Sequence, residues 1–63
     1  MQSNILDFVK KYFYNDINNV LIVDIDNREL YKLKDMPLSQ IMSYDIDKID
    51  GIVFNNGKIY MKF

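Results

Sequence analysis

In the last third of this 63-residue chain, Asn56-Gly57 separates two runs rich in β-branched and aromatic residues, Gly51 to Asn55 and Lys58 to Phe63. Asn-Gly is the strongest short hairpin signal, because a type I′ turn needs positive φ at both central residues. A two-residue loop there sets the register, with Asn55 opposite Lys58, Phe54 opposite Ile59, Val53 opposite Tyr60 and Ile52 opposite Met61. Directly opposed residues share a sheet face. Ile52, Phe54, Ile59, Met61 and Phe63 therefore form one wholly apolar face, which reads as core, and Val53, Tyr60, Asn55, Lys58 and Lys62 form the other.

The rest of the chain supplies partners for that hairpin. Ile5, Phe8, Val9, Tyr12 and Phe13 recur at the spacing of one helical face, with Ser3 as a cap, Asp7 near the positive end and Lys10 and Lys11 near the negative end. This predicts a helix over about 3–14. Asn15 to Asn19 is loop-forming, and Val20 to Ile25 is a strand by its β-branched content. The chain then turns at Asp26-Asn27-Arg28 and returns over 29–34. A three-residue loop puts Leu21, Val23, Ile25, Tyr31 and Leu33 on one face and Val20, Ile22, Asp24, Leu30, Lys32 and Lys34 on the other. Pro37 suits a first helical turn, and Leu38, Ile41 and Met42 form the inner side of a short helix over about 37–44, capped by Asp35 or Ser39. Tyr44 to Asp50 reads as a turn leading into strands 51–55 and 58–63. The expected fold is a single α+β domain over 1–63 of order α-β-β-α-β-β, with two β-hairpins forming an antiparallel sheet and the helices mainly on one face.

Size and composition limit what such a domain can do. A chain this short buries only about 60% of the surface it exposes when unfolded, and one core supplies roughly 3–5 kcal/mol, little support for a deep catalytic cleft. With no cysteine and no histidine it has no disulfide, no thiol nucleophile, no thiolate or imidazole metal ligand and no imidazole base. The missing disulfides suit the cytoplasm. Eight basic against nine acidic residues leave no excess of positive charge for phosphates, so neither direct nucleic-acid binding nor membrane association is expected. Abundant Ile, Asn, Lys, Asp and Tyr, with no Ala, Thr or Trp, resemble the bias of AT-rich coding sequence, as in a low-GC bacterium or its phage.

Three groups of residues invite a chemical reading. Asp24-Ile25-Asp26 closes an apolar strand, and the segment LIVDID resembles the first motif of haloacid-dehalogenase-type phosphatases. That resemblance implies a nucleophilic carboxylate at Asp24, an acid/base at Asp26 and magnesium between them. Arg28, however, stands where the family has a small Thr or Val, and 63 residues leave no room for its parallel sheet. Any solvent-facing strand end also places Asp24 and Asp26 on one side. Asp45, Asp47 and Asp50 invite a calcium loop, but counting from Asp45 puts Ile49 at position 5, Asp50 at position 6 and Asn56 at position 12, where an EF-hand needs an oxygen ligand, Gly and Glu. Lys58 and Lys62 beside Tyr60 invite a nucleic-acid stripe, but with eight basic against nine acidic residues they read as solvated strand positions. No metal or cofactor is expected.

The second sheet face is the more informative feature. Opposite the core it shows Ile22, Leu30, Val53 and Tyr60 among lysines, which makes these four the candidate protein interface. An acidic surface at Asp24, Asp26, Asp45 and Asp47 is the secondary candidate. The order of strand, acidic turn, Tyr-bearing strand, helix opening Leu-Ser and further strand loosely resembles small phage inhibitors of uracil-DNA glycosylase, in pattern and without a shared motif. The expected function is a non-catalytic protein-binding module, a phage or mobile-element protein that modulates or inhibits a host protein. The alternative is a self-associating regulatory module that pairs through the same face or through the edge of the last strand.

Overall fold

Asn4 opens the first helix: its side-chain Oδ1 accepts the Asp7 N–H at 2.9 Å, meeting one of the donors a helix start leaves unpaired. The structure, a computed structural model, describes residues 4–63, so the predicted Ser3 cap lies outside the described residues. Helix α1 is Ile5–Tyr12 and buries Ile5 and Val9, while Phe8 and Phe13 are half-buried and Tyr12 is exposed. It ends because Tyr14 and Asn15 both take positive φ, and the N–H groups of Phe13 and Asn15 both return to the Val9 carbonyl, at 2.9 and 3.1 Å. Strand β1 is Val20–Asp24, β2 Glu29–Lys32, α2 Leu38–Met42, β3 Gly51–Asn55 and β4 Lys58–Lys62, with 3-10 turns at Ile17–Asn19, Leu33–Asp35 and Ile46–Lys48. The second helix is thus a single turn. It buries Ile41, leaves Leu38 and Met42 exposed, and has no side-chain cap at Pro37.

The C-terminal hairpin has the predicted register, from Asn55 paired with Lys58 to Ile52 paired with Met61, and Asn56 and Gly57 both have positive φ, at 52° and 76°. The first hairpin differs. Asp24 pairs with Glu29 and Val23 with Leu30, so the loop has four residues, Ile25 to Arg28, and its last residue, Arg28, takes the positive φ. The even loop reverses the predicted parity of one strand against the other. Val20, Ile22 and Tyr31 share a face, and Leu21, Val23 and Leu30 share the opposite one.

The sheet is mixed rather than wholly antiparallel. Its order is β2-β1-β4-β3, and the two central strands run parallel, with Val20 beside Ile59, Leu21 beside Tyr60, Ile22 beside Met61 and Val23 beside Lys62. The cause lies in the segment between the hairpins. From Leu33 to Asp50 the chain crosses the sheet from one end to the other, packing Leu33, Met36, Ile41 and Ile46 into the core, so β3 starts at the far end and β4 runs with β1. A connection confined to one end would have left the central pair antiparallel. Val20 to Val23 is an unbroken apolar run, which suits a strand flanked on both sides and covered on one. The edges fall to β2 and β3, so the edge of the last strand is not open for pairing with another chain.

All the buried apolar residues contributed by helices and turns lie over one face. Ile5 and Val9 of α1 join the four from the crossing segment, packing on Val20, Ile22, Ile59 and Met61. Each such side chain removed from water contributes roughly 1.5–3 kcal/mol. Ile52 and Phe63 are half-buried at the margin, and Phe54, expected in the core, is 65% exposed on its edge strand, touching only the rim, where its ring meets that of Phe13 edge-on at 5.7 Å.

Candidate functional site

Alternation along the four strands brings two rows of side chains to the uncovered face. One row reads Lys32, Leu21, Tyr60, Val53 across β2, β1, β4 and β3, and the next reads Leu30, Val23, Lys62, Gly51. Lys58 and Asn55 continue the face at the C-terminal hairpin. Leu21, mid-row, is buried, Val23 and Tyr60 are half-buried, and Leu30 and Val53 are 57% and 42% exposed. None of these five belongs to the core beneath the helices. At Gly51 a Cβ would meet nothing within 4 Å, so the face has an open notch beside Lys62 and Val53.

Of the four predicted interface residues, Leu30, Val53 and Tyr60 therefore do share this face. Ile22 does not, being fully buried on the other side against Met61 and the helices. The even loop of the first hairpin moves it there and brings up Leu21, Val23 and Lys32 instead. The signal for that exchange was the unbroken run Val20 to Val23, which offers an apolar residue to the open face in either register.

The predicted acidic surface does not form one site. Asp24 is buried, at 6% exposure, and its carboxylate accepts three hydrogen bonds: from the Tyr44 hydroxyl at 2.6 Å and the Asn27 side-chain amide at 2.8 Å on Oδ2, and from the Asn27 backbone N–H at 3.1 Å on Oδ1. These donors, Tyr44 foremost, hold the Asp24 carboxyl below its ordinary value. Burial, helped by the same contact, pushes the Tyr44 hydroxyl up to about 12. Asp24 thus fastens the four-residue loop to the end of β1 and ties the crossing segment, through Tyr44, to the sheet. Asp45 caps the turn at Ile46–Lys48 by accepting the Asp47 N–H at 3.0 Å. Asp24, exposed Asp26 and Asp45 border a shallow hollow of about 340 Å³ with Tyr44, Lys48 and Phe63, whereas Asp47 borders a different one beside α1. Among the described residues no group of three or more carboxylates is placed to hold a metal ion, and no helix is long and apolar enough to cross a membrane.

No protein-family model, curated protein or solved structure matches the chain.

Proposed function

We propose that this chain is a small non-catalytic protein-binding module whose open sheet face, Leu21, Val23, Leu30, Val53 and Tyr60, docks on another protein. The observation that supports this reading is the one-sided packing: every helix and turn that enters the core lies on the opposite face. A contiguous apolar patch bordered by polar side chains is the usual mark of an interaction site. Within this reading the compositional bias extends to a phage or mobile-element protein that modulates or inhibits a host protein in the cytoplasm. Catalysis has no part in it, since the chain lacks histidine and cysteine and the Asp24 carboxylate is engaged by three donors.

A photo-crosslinking residue at Val53 should capture protein where the same residue at exposed Lys10 of α1, the helix packed on the opposite face, does not. Val53→Lys should remain folded and lose the proteins that wild type retains, because an unpaired charge set among apolar contacts is costly to desolvate. Identical capture by wild type and folded Val53→Lys removes the reading.

A second reading, self-association, draws on the free edge of β3. Among the described residues Gly51–Asn55 pairs only with β4, and Phe54 stands exposed beside that edge. A dimer in sedimentation equilibrium that survives Val53→Lys would favour it.

A further inference from the structure

The open face is charged as well as apolar, and its charge has one sign. Lys32, Lys58 and Lys62 stand on it. The acidic strand residues, Asp24 and Glu29, are register partners on the other parity, so no strand carboxylate reaches this side. The remainder of the chain carries five basic against nine acidic residues. We infer that the occupant of the open face is a single amphipathic segment of another protein that places apolar side chains on Leu21, Val23, Leu30, Val53 and Tyr60 and carboxylates over Lys32, Lys58 and Lys62. The inference rests on the binding-module reading and adds the chemistry of the partner.

Size, charge and side-chain type together choose this occupant. Four strands about 4.8 Å apart make a face roughly 19 Å across, too small for a standard interface of about 800 Å² per partner and well matched to one helix about 10–12 Å thick. Lysine stems lie along apolar surface and hold their ammonium groups at its border, which is where a partner's carboxylates meet them without deep desolvation. A second copy of the chain stacked on this face would set lysines against lysines. Single-stranded nucleic acid binds sheets through several stacked rings, and here four of the five apolar residues are aliphatic, with Tyr60 the lone aromatic.

The test is a selection of randomised peptides of roughly 15 residues on the immobilised wild-type protein, with folded Val53→Lys as the counter-target. The enriched peptides should be acidic, carry Leu, Ile, Phe or Met at helical spacing, and bind the double variant Lys32→Glu/Lys62→Glu at least about tenfold more weakly. Circular dichroism of the double variant should match that of wild type, and a parallel selection on it should enrich basic peptides. Peptides that distinguish wild type from Val53→Lys but are neutral or basic overturn the inference and leave the binding-module reading standing. A failure to enrich any peptide that distinguishes the two overturns both. A wild-type dimer that Lys62→Glu strengthens would show that a second copy occupies the face and overturn the inference. Salt-sensitive binding of a single-stranded oligothymidine lost in Lys32→Glu/Lys62→Glu would overturn it in favour of nucleic acid.

Discussion

The two faces of the sheet are built from nearly the same side chains. On the covered face Val20, Ile22, Ile59 and Met61 lie beneath α1 and the crossing segment; on the open face Leu21, Val23, Leu30, Val53 and Tyr60 lie outside that core, with no described helix packed over them. Both sets draw on β1 and β4, one residue out of step, and the open set adds Leu30 of β2 and Val53 of β3. An apolar strand residue is thus core or docking surface according to what is stacked above it, and that is decided by the parity of one loop and the path of one connection. The hydrophobic effect acts on both faces alike, so folding hides the first and leaves the second to be hidden by something else.

Substitutions should separate the faces in order of size. Ile22→Ala, in the covered face, should cost about 2–5 kcal/mol, comparable to all the stability a core this small supplies, so urea titration should find the variant largely unfolded. Retention of a full native baseline would mean that the covered face is not the core. Gly57→Val attacks the register that keeps Val53 and Tyr60 apart from Ile59 and Met61. A β-branched residue at φ 76° is strained, and the expected loss exceeds about 1 kcal/mol in thermal melts.

Tyr44→Phe loosens the segment that covers the core and should cost about 1 kcal/mol. Its pH signature is more specific. Because the Asp24 carboxyl is held below its ordinary value, the stability due to its ionised form is present above that value and is lost as pH falls through the lowered one. The Tyr44 hydroxyl is raised from 10.0 to about 12, so its contribution is full below 10.0 and is lost as pH rises through about 12. Melting temperatures followed across both ranges should show the alkaline loss in wild type and not in Tyr44→Phe; equal alkaline curves would mean that the hydroxyl does not make this contact. The smallest effect belongs to the open face, where Val53→Lys should change monomer stability by no more than about 0.5 kcal/mol. If it unfolds the protein as Ile22→Ala does, both faces are internal.

The two hairpins show what a sequence states openly. Asn56-Gly57 names its own turn, because few residue pairs accept positive φ twice, and every pairing of β3 with β4 follows from it. The first hairpin has no such pair. Its positive φ falls on Arg28, and its loop is held by the reach of Asp24 to Asn27 and to Tyr44, a residue 20 positions away. With Val20 to Val23 apolar throughout, no alternation was present to correct a one-residue error in loop length, and that error put Ile22 in the interface in place of Leu21 and Val23. The parallel central pair was hidden for a related reason: it depends on where the Leu33 to Asp50 segment crosses, which no local pattern records. Asp24 is half of a carboxylate pair in the sequence and an anchor in the fold.

The central pairing of β1 with β4 also bears on how the molecule assembles. Each hairpin closes on its own short loop, an event of about 1–10 μs, but pairing Val20 with Ile59 also closes the whole segment between the hairpins. Loop closure of that length comes before the contacts that reward it, so docking one hairpin on the other is the expected slow step, with the middle of the sheet completed last. Until then the inward sides of both hairpins are as bare as the outward ones, and a partner able to grip apolar strands meets four surfaces where the finished molecule offers one.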